Sequence, residues 1–113
     1  MRVNYEDVRS NDTIVEIEPE MVSVEVNFID IKTYYLTPLE ALLYAIIQKY
    51  GYYNVIERKW VKIPTGLAVV FRTFDGHADI DRAFDKLIEK RLIIEGEDSM
   101  FFTRDYRLFR LAH

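Results

Sequence analysis

Residues 67–102 read LAVVFRTFDGHADIDRAFDKLIEKRLIIEGEDSMFF. Asp75-Gly76 is a turn signal. From Ala78 onward, Ile80, Ala83, Phe84, Leu87 and Ile88 recur at helical spacing, which predicts an amphipathic helix over 78–91. Leu92-Ile93-Ile94 then reads as a strand, Glu95 to Ser99 as a hairpin loop and Met100 to Thr103 as the return strand. Residues 67–74 (LAVVFRTF) leave two readings open. Their β-branched and aromatic content favours a strand pairing back on 56–63 across Pro64-Thr65-Gly66. Their place just before a turn and a helix favours a helix.

Toward the N-terminus, Thr37-Pro38-Leu39-Glu40 has the form of a capping box. Proline stands at the first helical position, where its missing donor costs nothing. Leu39, Leu42, Leu43, Ile46, Ile47 and Tyr50 follow at i, i+3, i+4, i+7, i+8 and i+11, and Gly51 is a natural stop, so a helix is expected over 38–50. Between Tyr53 and Ile63 neither parity is cleanly apolar, and a short strand is expected around 59–63. Ile14, Val15 and Ile17 lead to the turn signal Glu18-Pro19-Glu20. Val22, Val24, Val26 and Phe28 then alternate with polar residues, which predicts a β-hairpin over 13–18 and 21–31. Residues 1–12 suit a loose start or one short strand. Residues 104–112 suit a terminal turn of helix or another short strand.

The expected architecture is α+β in a single domain, residues 1–113, with 1–35 as an N-terminal hairpin extension and 37–110 as the core. Half of the residues are apolar and 30% are charged, so disorder is not expected. There are no cysteines, which excludes disulfides, thiolate metal ligands and thiol catalysis. No basic-then-apolar signal segment opens the chain and no apolar run is long enough to span a bilayer, so a cytoplasmic protein is expected. Abundant Ile, Tyr, Glu and Arg beside a single glutamine give the composition a thermophile-like character. The net charge is −4, against the basic balance usual for nucleic-acid binding, so the distribution of cations decides more than their sum.

Residues 67–94 resemble the winged helix-turn-helix family of DNA-binding regulators. The resemblance rests on Leu67-Ala68, the Asp75-Gly76 turn, Arg82 in the helix, and the closing run Leu87-Ile88-Glu89-Lys90-Arg91-Leu92-Ile93. With 39–50 as first helix and 92–103 as wing, it covers roughly 37–110. The chain departs from the family pattern in three ways. The turn before the 78–91 helix is about two residues longer than the common spacing. Arg91 stands where glycine is frequent, and the N-terminal hairpin lies outside the usual core. The resemblance implies a sequence-specific binder of double-stranded DNA, a homodimeric transcriptional regulator with helix 78–91 in the major groove.

That helix carries Arg82, Lys86 and Lys90 at i, i+4 and i+8, beside Asp81, Asp85 and Glu89 at the same spacing. The first ridge suits phosphates, and Arg82 suits base edges. Arg91, Arg104 and Arg107 extend the expected DNA contacts, and Arg58, Lys59, Lys62 and Arg110 join them if the fold gathers them into a patch. The competing reading is a solvated face of loosely paired charges. The acidic ridge and the acids in Glu95-Gly96-Glu97-Asp98-Ser99 favour a module that binds a protein partner instead. A third reading, a small metal-dependent nuclease, rests on Asp30 and Glu57-Arg58-Lys59. Asp75-Gly76-His77-Ala78-Asp79-Ile80-Asp81 lacks any recognised ligand spacing, and its acids suit a helix N-terminus. No metal, cofactor or catalytic residue is expected. Trp60, Tyr52, Tyr53, Phe71 and Phe74 serve either as stacking platforms for bases or as packing, and Tyr34 and Tyr35 as a hydrophobic staple or a dimer contact.

Overall fold

The computed structural model describes residues 5–18, 20, 23–52, 59–64, 77–97 and 106–112. In chain order these form β1 (Tyr5–Asp7), β2 (Thr13–Glu16), α1 (Phe28–Tyr34), α2 (Pro38–Gly51), β3 (Lys59–Pro64), α3 (His77–Glu89), β4 (Ile93–Glu97) and β5 (Tyr106–Leu111). The architecture is α+β: among the described residues, three helices and one mixed five-stranded sheet of order β1-β4-β5-β3-β2. The central strands β4, β5 and β3 are antiparallel, and each edge strand runs parallel to its neighbour.

α2 forms as its sequence dictates. Thr37 Oγ1 accepts from the Glu40 amide at 3.2 Å, Glu40 Oε1 accepts from the Thr37 amide at 3.4 Å, and Pro38 opens the helix. Its apolar face buries Leu39, Leu43, Ile46 and Ile47. α3 buries all five residues of its predicted stripe, Ile80, Ala83, Phe84, Leu87 and Ile88. Both helices lie on one face of the sheet, where alternation along the strands presents Val61, Ile63, Ile93 and Phe109 to the same core. Phe84 of α3 stacks on Phe109 of β5, centroids 4.2 Å apart and planes 23° from parallel.

α3 ends in a Schellman motif. The Leu92 amide donates to the Leu87 carbonyl at 3.1 Å and the Arg91 amide to that of Ile88 at 2.9 Å. Arg91 carries the left-handed φ of 58° that this motif requires and that glycine adopts without penalty. Arg91→Gly should therefore stabilise the fold by roughly 0.5–1 kcal/mol, relief of the left-handed strain exceeding the added unfolded-chain entropy. A raised urea midpoint checks this; an unchanged or lowered one would show that the arginine side chain contributes packing here.

The opposite sheet face is organised around Trp60. β1 and β2 are consecutive and run in the same direction, yet they sit at the two outer edges of the sheet. The five residues between them carry the chain from one edge to the other, and both ends of that crossing touch Trp60. Trp60 Nε1 donates to Asp12 Oδ2 at 3.1 Å, and Val8 packs where the indole meets Gly96. Arg110 stacks over the indole at 5.1 Å and bonds Glu6 of β1.

The predicted N-terminal hairpin does not form. Thr13–Glu16 pairs parallel with β3, Ser23 to Asn27 has no regular structure, and Phe28–Tyr34 is helix. The alternation of Val24, Val26 and Phe28 loses to a local signal: Asn27 Oδ1 accepts from the Ile29 amide at 2.8 Å and caps α1. The C-terminal strands are displaced outward from expectation. β4 continues through Glu97, so Glu95 lies within the strand rather than in a loop, and its partner is Tyr106–Leu111, the described part of 104–112, which is strand rather than helix. Residues 67–74 and the expected return strand 100–103 fall outside the described residues.

Candidate nucleic-acid interface

On α3, about 100° per residue turns Arg82 directly away from the buried stripe, with Lys86 and Glu89 beside it. The Arg82 side chain is 73% exposed and that of Lys86 53% exposed. Each has only a weak neighbour on the same helix: Arg82 lies 3.8 Å from Asp79, and Lys86 lies 3.2 Å from Glu89. Surface pairs of this kind contribute tenths of a kcal/mol and yield readily to a competing anion.

The other expected contacts are distributed differently. Lys90 flanks the buried stripe and turns to α2, where Nζ donates to Glu40 Oε1 at 3.1 Å and to the Tyr35 carbonyl at 2.9 Å. It thereby ties the end of α3 to the start of α2. Arg91 is exposed just past the helix. Arg104 lies outside the described residues.

Arg107 is drawn inward. Its guanidinium donates to Glu95 at 2.6 and 3.2 Å, to Asp85 at 3.0 Å and to Asp81 at 3.1 Å, while lying about 5 Å above the Phe84 and Phe109 rings. Burial pushes its pKa down, but the bonds to Glu95, Asp85 and Asp81 outweigh burial and hold it above the ordinary arginine value. Arg107 is thus an internal clamp between β5, β4 and α3. The acidic ridge, expected on the outer side of α3 alongside the basic one, is corrected accordingly: Asp81 and Asp85 turn toward β5. The cause is register, since an acid one helical step from the buried stripe faces the sheet's own arginine.

The wider basic patch does not assemble among the described residues. Arg107 and Arg110 project from opposite faces of β5, and Lys62 faces with Arg110, 3.9 Å from Glu16 and 4.3 Å above the Tyr106 ring. Trp60 has no exposed surface and cannot stack on a base, whereas Tyr52 is exposed. Tyr34 lies within α1 and packs edge-on against Tyr44. Tyr53, Phe71, Phe74, Glu57 and Arg58 lie outside the described residues. Asp30 borders an open cleft of about 600 Å³ with Asn27, Gln48 and Lys49. No group of three or more potential metal ligands occurs among the described residues, and no described helix is long and apolar enough to cross a membrane. Sequence reasoning missed the Arg107 clamp. The helical wheel could have found half of it, because Asp81 flanks the stripe rather than opposing it.

No family model, no curated protein and no solved structure matches this chain.

Proposed function

We propose that this protein is a winged-helix binder of double-stranded DNA that reads the duplex with α3. The observation that carries the reading is the Arg107 clamp. By taking Asp81 and Asp85 toward the sheet, it leaves Arg82 and Lys86, with Glu89 beside them, on the outer side of the helix. The acidic ridge that argued against a polyanionic ligand is thereby turned partly aside, although one guanidinium does not cancel the charge of three carboxylates.

The chain order helix, strand, helix, antiparallel strand pair (α2, β3, α3, β4, β5) supports the winged-helix reading, with β4 following α3 at once as a wing strand does. β1 and β2 are additions that brace the edges of this core. Arg91 adds a further argument: a left-handed backbone position that glycine would occupy without strain holds an exposed cation at the end of the reading helix. Retaining it costs stability, and phosphate contact is what an arginine there supplies and a glycine does not.

Charge reversal tests the reading. Lys86→Glu replaces an exposed side chain, so the fold should persist while duplex affinity falls roughly 10- to 100-fold through a lost phosphate contact and new repulsion. Arg91→Gly should weaken binding while raising stability, a pairing that a purely structural residue would not produce. Unchanged affinity in Lys86→Glu would remove α3 as the reader.

A further inference from the structure

The segment from Ser23 through α1 lies along α2 and is clasped to it at both ends. Near the connection between the helices, Tyr34 packs edge-on against Tyr44, centroids 6.3 Å apart. At the far end, Lys49 Nζ donates to the Ser23 carbonyl at 2.5 Å. Between the clasps runs the open cleft of about 600 Å³, a volume within the range of small-molecule sites. Val24 and Ala45 give it an apolar lining, and Asp30 and Gln48 reach it from the two helices. Both of these polar residues are half-buried, and neither side chain has a hydrogen-bond or ion-pair partner among the described residues. Polar groups withdrawn from water are ordinarily paired. Lys49 keeps donors to spare, since an ammonium has three and the Ser23 carbonyl takes one. Asp30 and Lys49 thus line one cleft with opposite charges and yet form no ion pair with each other.

We infer that this cleft binds a small zwitterion, with its ammonium on Asp30, its carboxylate on Lys49 and the Gln48 carboxamide bonding to either. Opposite charges held apart on one cleft attract a molecule that carries both and repel one that carries only a carboxylate. A second carboxylate on the rim, Glu25, gives the lining more negative than positive charge. The occupant that balances it carries a further cation, as a basic α-amino acid does. Val24 and Ala45 then meet its methylene chain. The inference uses only α1, α2 and the segment before them, and it does not depend on α3 binding DNA.

Amide chemical shifts of the full chain, titrated with L-lysine, are the test. They should saturate with a dissociation constant of roughly 0.1–3 mM, as suits a small ligand in an open cleft, and the largest changes should fall at Asp30, Gln48 and Lys49. Asp30→Asn and Lys49→Met replace side chains outside the core, so the circular-dichroism spectrum should not change. Each should weaken lysine binding roughly tenfold, the worth of one hydrogen bond to a charged group. Cadaverine, which is lysine without its carboxylate, should bind the wild type more weakly than lysine does and should bind Lys49→Met as well as the wild type. A clasp merely loosened by that substitution would weaken both ligands. Norleucine, which lacks the second cation, should also bind more weakly than lysine. Lysine shifts that fail to saturate, or that centre elsewhere, would overturn the site. Unchanged lysine affinity in Asp30→Asn, or equal weakening of lysine and cadaverine in Lys49→Met, would overturn the zwitterion. Norleucine binding as tightly as lysine would overturn the basic side chain.

Discussion

Arg107→Met should destabilise the fold by ~3–5 kcal/mol, because it strands a buried carboxylate that has no other partner of comparable strength among the described residues. The Glu95 side chain is 7% exposed and takes two of the guanidinium's bonds. Asp85 is also largely covered, whereas Asp81 is mostly in water and contributes little to the cost. Methionine keeps the aliphatic stem but removes the guanidinium that lies over Phe84 and Phe109, so loss of that ring contact adds to the cost. The double change Arg107→Met with Glu95→Leu removes both charges and should recover more than half of the loss, since an apolar pair avoids the desolvation cost that the ions bear. Urea unfolding decides this: the single variant's midpoint should fall sharply at constant slope and the double variant's should return toward wild type. Equal losses in both would place the contribution of Arg107 in packing. The same change bears on function, because freeing Asp81 and Asp85 beside Arg82 and Lys86 should also reduce duplex affinity in whatever fraction remains folded.

Trp60→Ala should be comparably severe, about 3–5 kcal/mol for deleting a wholly buried indole. Trp60 has no exposed surface, bonds Asp12, supports Arg110 and fills the space beside Gly96. A methyl group on Gly96 would stand 2.6 Å from Trp60 Cζ3 and 2.8 Å from Val8 Cγ2, which neither a fixed ring nor the crossing segment can easily yield. Gly96→Ala alone should therefore cost ~1–3 kcal/mol by overpacking. In a Trp60→Leu background, the same alanine should cost much less, because the smaller side chain makes the room. Additive losses would mean that the glycine is required for some reason other than the ring. As the only tryptophan, Trp60 reports its own environment: emission should shift to longer wavelength once the β1–β2 crossing lifts off, ahead of or together with global unfolding.

How far the fold was legible in the sequence follows the range of the interactions that set it. α2 was legible at its start and along its face, because Thr37, Pro38 and Glu40 fix its start locally and the Leu39–Tyr50 spacing fixes its face; Gly51, expected as the stop, is its last helical residue, with Tyr52 as the C-cap. The buried stripe of α3 was legible for the same reason. The exact ends of β4 and β5 were not: Glu95 reads as a loop residue until Arg107 is known to meet it. The N-terminal segment misled because the alternation in Val22–Phe28 is a propensity that a local helix signal can override. The local cap at Asn27, followed by Asp30 in the first turn, was the signal that would have favoured α1. Parallel pairing of β1 with β4 and of β2 with β3 joins residues distant in sequence with no turn between them, so no short-range pattern announces it. At the candidate interface, the outward position of Arg82 and Lys86 was legible from spacing alone. The different fates of Lys90 and Arg107 depend on how α3 sits against α2 and β5, which only the assembled core determines.

That an acidic chain reads duplex DNA through the exposed cations of α3 is tested most directly by fluorescence anisotropy of a random-sequence DNA duplex titrated with the wild-type protein at two salt concentrations. Neutralising several phosphates predicts micromolar binding that weakens steeply between roughly 50 and 200 mM salt. Absence of binding at the lower salt would contradict it, and would leave the exposed face of α3 as a solvated surface or a contact for protein.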